Sequence, residues 1–108
     1  MTTTTAIVER TTAEFRRDWE RLSSADQRQV QDALNSAYSL LREDRPRLLS
    51  KLHRPLKIQL KRGFGSSLSS LRAGRDIRLI LTVDDDPVFR QTVVTLFRLV
   101  RHDELPSA

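Results

Sequence analysis

The run 68-LSSLRAGRDIRLILTVDDDP-87 decides the architecture of this chain. Within it Ile77, Leu79, Leu81 and Val83 alternate with Arg78, Ile80 and Thr82, the period-two pattern of a strand with one face in a core. Leu68–Arg72 reads as a shorter strand before it, with Ala73-Gly74 as the turn between them. Asp84-Asp85-Asp86-Pro87 reads as the next turn. Gln91–Val100, rich in Val, Thr and Phe, reads as the strand after that. Strands joined this closely form an antiparallel meander.

Upstream, Leu56, Ile58 and Leu60 alternate with Lys57, Gln59 and Lys61, which predicts a strand with one basic face, broken by Gly63-Phe64-Gly65. Before about residue 55 the period is helical. Phe15, Trp19 and Leu22 make one apolar stripe, capped by Thr11 or Thr12 and stopped at Ser23-Ser24. Ser24 with Gln27 fits a capping box for a second helix, whose face is Val30, Ala33, Leu34, Ala37, Leu40 and Leu41. That helix should fade near Arg42–Arg45, because Pro46 disfavours helix at the residue before it. Thr4–Glu9 reads as a short strand. The expected fold is α+β: an N-terminal strand and an α-helical hairpin packed on a twisted antiparallel β-sheet.

A chain of 108 residues has room for one core, so a single domain over 1–108 is expected, with residues 1–4 and 105–108 as frayed tails. Apolar residues at 38% and visible periodicity exclude disorder along the whole chain. The absence of cysteine excludes disulfides, thiolate zinc sites and cysteine chemistry. The histidines, His53 and His102, are too few for a histidine-based metal site, so no metal or other cofactor is expected. No apolar run approaches a membrane span and the N-terminus carries no secretory pattern, which points to a cytoplasmic protein without a membrane partner.

The net charge of +5 is unevenly spread. Residues 42–78 carry eleven Lys/Arg against three Asp/Glu, a balance of +8, while 1–41 and 79–108 come to −1 and −2. A basic middle of this kind is the footprint of a polyanion site. Phe15 and Trp19 lie on the inner helix stripe, so an exposed platform for stacking bases is not expected.

The chemistry concentrates on Arg78, a charge in mid-strand that must face solvent, a counter-ion or a ligand. In a meander, Arg72, Arg78, Arg101 and His102 can meet on one surface. Arginine forks hold phosphate, and histidine moves protons near neutral pH. That set suffices for RNA cleavage by a ribose 2′-hydroxyl, with no metal. Simpler roles compete: His102 can be a plain surface histidine, Arg78 can pair with Asp103, Glu104 or an acid of Asp84–Asp86, Lys57 and Lys61 can be the wet face of an edge strand, and His53 is read as structural or surface.

The ordered set Leu71-Arg72-Ala73-Gly74, Arg78 within the next strand, the acidic turn, and Val94–Glu104 running into Arg101-His102 resembles the RelE/ParE superfamily of bacterial toxins over about residues 5–105. The resemblance implies a small type II toxin held inactive by a cognate antitoxin protein. It further implies either cleavage of mRNA on the ribosome, as a metal-independent endoribonuclease, or poisoning of DNA gyrase without nuclease chemistry. A non-toxic nucleic-acid-binding relative is the third alternative. The arginines and the histidine favour the endoribonuclease and translation inhibition. Carried over by position, Arg78, Arg72, Arg101 and His102 match the family's phosphate-contacting and general-acid positions; the expected catalytic set is His102, Arg78 and Arg101, with Arg72, Arg75, Lys57 and Lys61 expected to bind substrate phosphates. The gyrase alternative draws on two departures: Leu68-Ser69-Ser70 stands where RelE carries two lysines, and no tyrosine follows Arg101-His102.

Overall fold

A computed structural model describes residues 6–52 and 68–101. The order is β1 (Ala6–Thr11), α1 (Ala13–Arg21), α2 (Ser24–Glu43), α3 (Arg45–Lys51), β2 (Ser69–Arg72), β3 (Ile77–Asp86) and β4 (Gln91–Arg101). The fold is α+β, with helices against one face of a four-stranded sheet of order β1-β4-β3-β2. The strand expected over residues 56–60, with Lys57 and Lys61, lies outside the described residues, as do His53 and His102.

The sheet is mixed rather than wholly antiparallel. β2, β3 and β4 form the expected meander, while β1 joins the far side of β4 in parallel, Val8 opposite Val93 and Thr11 opposite Leu96. The alternation could reveal that residues near the N-terminus are extended, but not which edge they join or in which direction. The chain between β1 and β4 is long enough for a crossover, and parallel pairing requires one.

The helix starts follow cap chemistry. Thr12 accepts from the Phe15 amide at 3.1 Å and donates to the Phe97 carbonyl at 2.8 Å, so one hydroxyl starts α1 and stitches it to β4. α2 begins one residue earlier than a Ser24–Gln27 capping box implies: Ser23 is the cap, accepting from the Asp26 amide at 3.1 Å. Gln27 donates instead to the Trp19 carbonyl at the end of α1, at 2.8 Å. α2 stops at Glu43, within the expected Arg42–Arg45, but Arg45, the residue before Pro46, is itself helical, because a third helix starts there at once. Asp44 closes α2 and caps α3, and Pro46 occupies the first turn of α3, where its missing N–H costs nothing. Asp44 with Pro46 was the signal for α3, and Leu48 the apolar residue it buries.

The main core lies between helices and sheet. Phe15, Val30, Leu34, Ala37, Leu48 and Leu52 meet Leu71, Ile77, Leu79, Leu81, Val94, Leu96 and Leu99. Each large aliphatic buried here contributes about 1.5–3 kcal/mol. Phe15 and Trp19 stack with ring centroids 6.4 Å apart, as their helical spacing predicts. Leu68, Ile80 and Phe97 form a smaller cluster on the opposite face of the sheet. β3 therefore carries buried residues on both faces, with Ile80 1% and Leu79 0% exposed.

Candidate functional site: an arginine row across the sheet

Arg72 on β2 is the cross-strand partner of Arg78 on β3, and Arg78 is the partner of Val100 on β4. Directly paired residues share a face, so Arg72, Arg78 and Val100 form one row. Leu71, Leu79 and Leu99, one step along, belong to the core under the helices. The row thus lies on the face turned away from α1–α3, with Ile80 and Ser70 as the next row. Arg72 is exposed and Arg78 half-buried.

Two like charges directly opposite each other on a sheet repel. Arg72 donates through Nε to the Gly74 carbonyl at 3.1 Å, and Arg78 through Nη1 to the Ile77 carbonyl at 3.4 Å. Among the described residues no carboxylate forms an ion pair with Arg72, Arg75 or Arg78. The acids of Asp84–Asp86 do not reach Arg78, because they occupy the opposite end of β3, where Asp86 pairs with Gln91. Asp84–Asp86 is the end of the strand itself, and the turn is 87–90. Gly74, with φ +93°, supplies the left-handed residue of the tight β2–β3 turn beside exposed Arg75.

Arg101 does not join this row. Its register partner is Ile77, which places it on the helix side of the sheet. There it stands 3.5 Å from Asp26 in the first turn of α2 and 3.5 Å from Asp76 in the β2–β3 turn. The expected convergence of Arg72, Arg78 and Arg101 on one surface fails by a single residue of strand parity.

Between the arginine end and the helices, the outer edge of β4 opens. β1 ends at Thr11, opposite Leu96, so among the described residues no strand pairs with the last residues of β4 on that side. Helix α1 finishes the edge. The Thr12 amide donates to the Leu96 carbonyl at 3.1 Å, and Asp18 accepts from the Leu99 amide at 3.0 Å. Asp18 is also held by Arg98, Nε at 2.7 Å and Nη2 at 3.3 Å. A cleft of about 190 Å³ remains, lined by Arg21, Arg101 and the Asp18–Arg98 pair over an apolar floor of Leu22, Ile77, Leu99 and Val100.

A search of solved structures places this architecture. Over 93% of this chain and 98% of the other, it superposes with a TM-score of 0.52 at 22% identity on a chain of the archaeal RelE–RelB complex from Pyrococcus horikoshii OT3. The fold is RelE-like. No family model and no curated protein matches the sequence.

In this RelE-like frame, the predicted residues separate. Arg72 and Arg78 are brought together, Arg75 sits in the turn beside them, and Arg101 is turned to the other side. Arg21 and Arg98 were not singled out by the sequence. Arg98 lies beside the register shift at Ile80/Leu81 and pairs with Ile80, and its guanidinium reaches Asp18 of α1 at the outer edge of β4. Among the described residues no cluster of His, Cys, Asp or Glu could hold a metal ion, and no helix is long and apolar enough to cross a membrane.

The other end of the sheet is organised around acids. Arg45 clasps Asp85 with two bonds of 2.9 and 2.8 Å, and Thr92 donates to Asp85 at 3.1 Å. The guanidinium holds the Asp85 carboxyl below its ordinary range. Asp86 accepts from the Val88 and Phe89 amides at 3.0 and 3.3 Å, fixing the hairpin tip. Between α2 and β1, the Tyr38 hydroxyl donates to Glu9. Burial first, and that carboxylate second, push its pKa far above the ordinary phenol value.

Proposed function

We propose that this chain is the toxin of a toxin–antitoxin pair and acts as a metal-independent endoribonuclease on mRNA at the ribosome. The observation that carries the reading is the Arg72–Arg78 row: two arginines paired directly across the β2–β3 ladder, without ion-paired acids among the described residues, on the face of a RelE-like sheet turned away from α1–α3. A pair of this kind can fork the oxygens of one phosphodiester and stabilise the extra negative charge of its transition state. In the reaction the ribose 2′-hydroxyl loses its proton and its oxygen bonds to the neighbouring phosphorus. The bond to the 5′-oxygen breaks, and that oxygen takes a proton, leaving a 2′,3′-cyclic phosphate and a 5′-hydroxyl. His102, next in sequence to Arg101, is the proposed proton donor. Arg75, Lys57 and Lys61 are proposed as outlying phosphate contacts.

The proposed partner is an antitoxin protein, since the similar solved chain comes from a complex of RelE with RelB. The chain's basic middle suits an acidic, apolar segment that folds on binding. The proposed compartment is the cytoplasm, where ribosomes and mRNA are.

The test is induction of the chain without a partner, with transcript ends mapped. Growth arrest with new 5′-hydroxyl ends, abolished by Arg78→Ala and by His102→Ala, is the expected result. Arrest with intact transcripts and broken DNA would replace the nuclease by the gyrase poison. Arg101 favours that second reading to one degree: its pairing with Asp26 and Asp76 leaves one cation fewer at the row.

A further inference from the structure

The arginine row does not end at Val100. Val100 is also a wall of the cleft at the open edge of β4, which Arg21, Arg98 and Arg101 line. Arg72, Arg78 and Val100 therefore follow one another across β2, β3 and β4, with adjacent strands about 5 Å apart, and the cleft opens beyond them round the outer edge of β4, on the side where Arg101 stands. We infer that this line is a phosphate track: an RNA strand gripped by Arg72 and Arg78 passes over Val100, and its next backbone phosphate enters the cleft between Arg21 and Arg101. The inference deepens the ribonuclease reading and rests on it.

Three observations point this way. First, β1 stops at Thr11, and among the described residues it is a side chain of α1, Asp18, that meets the β4 edge beyond that point, beside the cleft. Second, the guanidiniums differ in how firmly they are held. Asp18, 10% exposed, accepts from Arg98 at 2.7 Å and from the Leu99 amide, so Arg98 is a fixed wall. Arg101 stands at 3.5 Å from both its acids and is 44% exposed. Exposed pairs of that length are worth little, so a phosphate can draw Arg101 from them. Arg21 ends α1 on the surface, where its charge also suits the carbonyl end of the helix. Third, among the described residues no aromatic ring lines the cleft, so the described lining offers no platform for a base and suits backbone. The contact adds affinity without sequence preference.

The test is fluorescence anisotropy of the full chain at several salt concentrations, with fluorescein-labelled oligouridine of about ten nucleotides and, as the short strand, a labelled uridine dinucleotide, whose single phosphodiester cannot occupy row and cleft together. Arg21→Gln should weaken the longer strand several-fold and lower the salt slope by about 0.7, the value for one single-strand phosphate. Arg21→Glu should weaken it further, Arg21→Lys should restore it, and the short strand should bind all four proteins alike. Arg72→Gln combined with Arg78→Gln should weaken both strands. If the combined variant weakens binding while Arg21→Gln and Arg21→Glu leave affinity and slope unchanged, the track is overturned and the row survives. If the wild-type chain binds neither strand, row and track fall together.

Discussion

The two ends of β3 carry opposite charges and treat them in opposite ways. At the hairpin end, Asp85 is forked by Arg45 and Asp86 is spent on the amides of Val88 and Phe89. At the other end, Arg72 and Arg78 lie side by side with only weak bonds to nearby carbonyls and no described carboxylate. Charge at the first end builds the fold. Charge at the second opposes it slightly, since like charges across a ladder are destabilising. A fold that leaves such a pair uncompensated retains a place where an anion would be stabilised, and that asymmetry separates a site from a brace.

The sharpest way to break this comparison is to remove one arginine from each end. Arg78→Ala should lower RNA cleavage about a hundredfold or more while leaving the melting temperature almost unchanged. Arg45→Ala should leave cleavage intact and lower stability slightly. Equal loss of cleavage in both, measured with purified protein on ribosomes carrying mRNA, would erase the distinction.

Asp18 tests a brace at the arginine end. It satisfies the Leu99 amide and the Arg98 fork from a nearly buried position. Asp18→Ala should cost about 2 kcal/mol in urea unfolding, because a strand amide and a guanidinium lose their acceptor together. A loss below a few tenths would mean that water replaces Asp18 and that α1 does not close the β4 edge. Gly74→Ala should cost less, about 1 kcal/mol, mainly from the positive φ. An added Cβ would fall 2.2 Å from Gln29 Oε1, but that is the end of a flexible side chain and can swing aside. Gln29→Ala combined with Gly74→Ala should therefore recover only a small part of the loss.

The meander, the α1 stripe and the α2 face were legible because each rests on a local period that burial enforces: Leu79, Leu81 and Val30 had nowhere else to go. Three things were not legible, for three physical reasons. The parallel seat of β1 depends on a partner far along the chain, and nothing within Ala6–Thr11 encodes its direction. The side of the sheet taken by Arg101 depends on parity beyond the register shift at Ile80/Leu81, and an irregular step there reverses the face of every later residue. Arg21 and Arg98 looked like ordinary surface charges, because the cleft that gives them meaning lies beside the β4 edge beyond the end of β1. The pairing of Arg72 with Arg78 was accessible, since Ala73-Gly74 fixes a short turn and hence the strand opposition.

The smallest effect concerns the acidic end and its pH dependence. Arg45 lowers the Asp85 pKa from its ordinary 3.8, so the folded state favours the ionised carboxylate more than the unfolded state does. The contribution is therefore fully present above that ordinary value and is lost as pH falls through the lower folded value. The Asp85 side chain is 59% exposed and Arg45 36%, so solvent screens the pair and its worth is below about 1 kcal/mol. Asp85→Asn removes the titration but keeps the shape. Compared by urea unfolding, wild type should exceed Asp85→Asn by a few tenths of a kcal/mol at neutral pH. The gap should begin to close just below pH 4 and vanish at lower pH, where Asp85 is protonated in both states. A gap that persisted unchanged into strong acid would assign the tip's stability to the Thr92 and Asp86 hydrogen bonds, and the acidic end would cease to be an electrostatic counterpart of the arginine row.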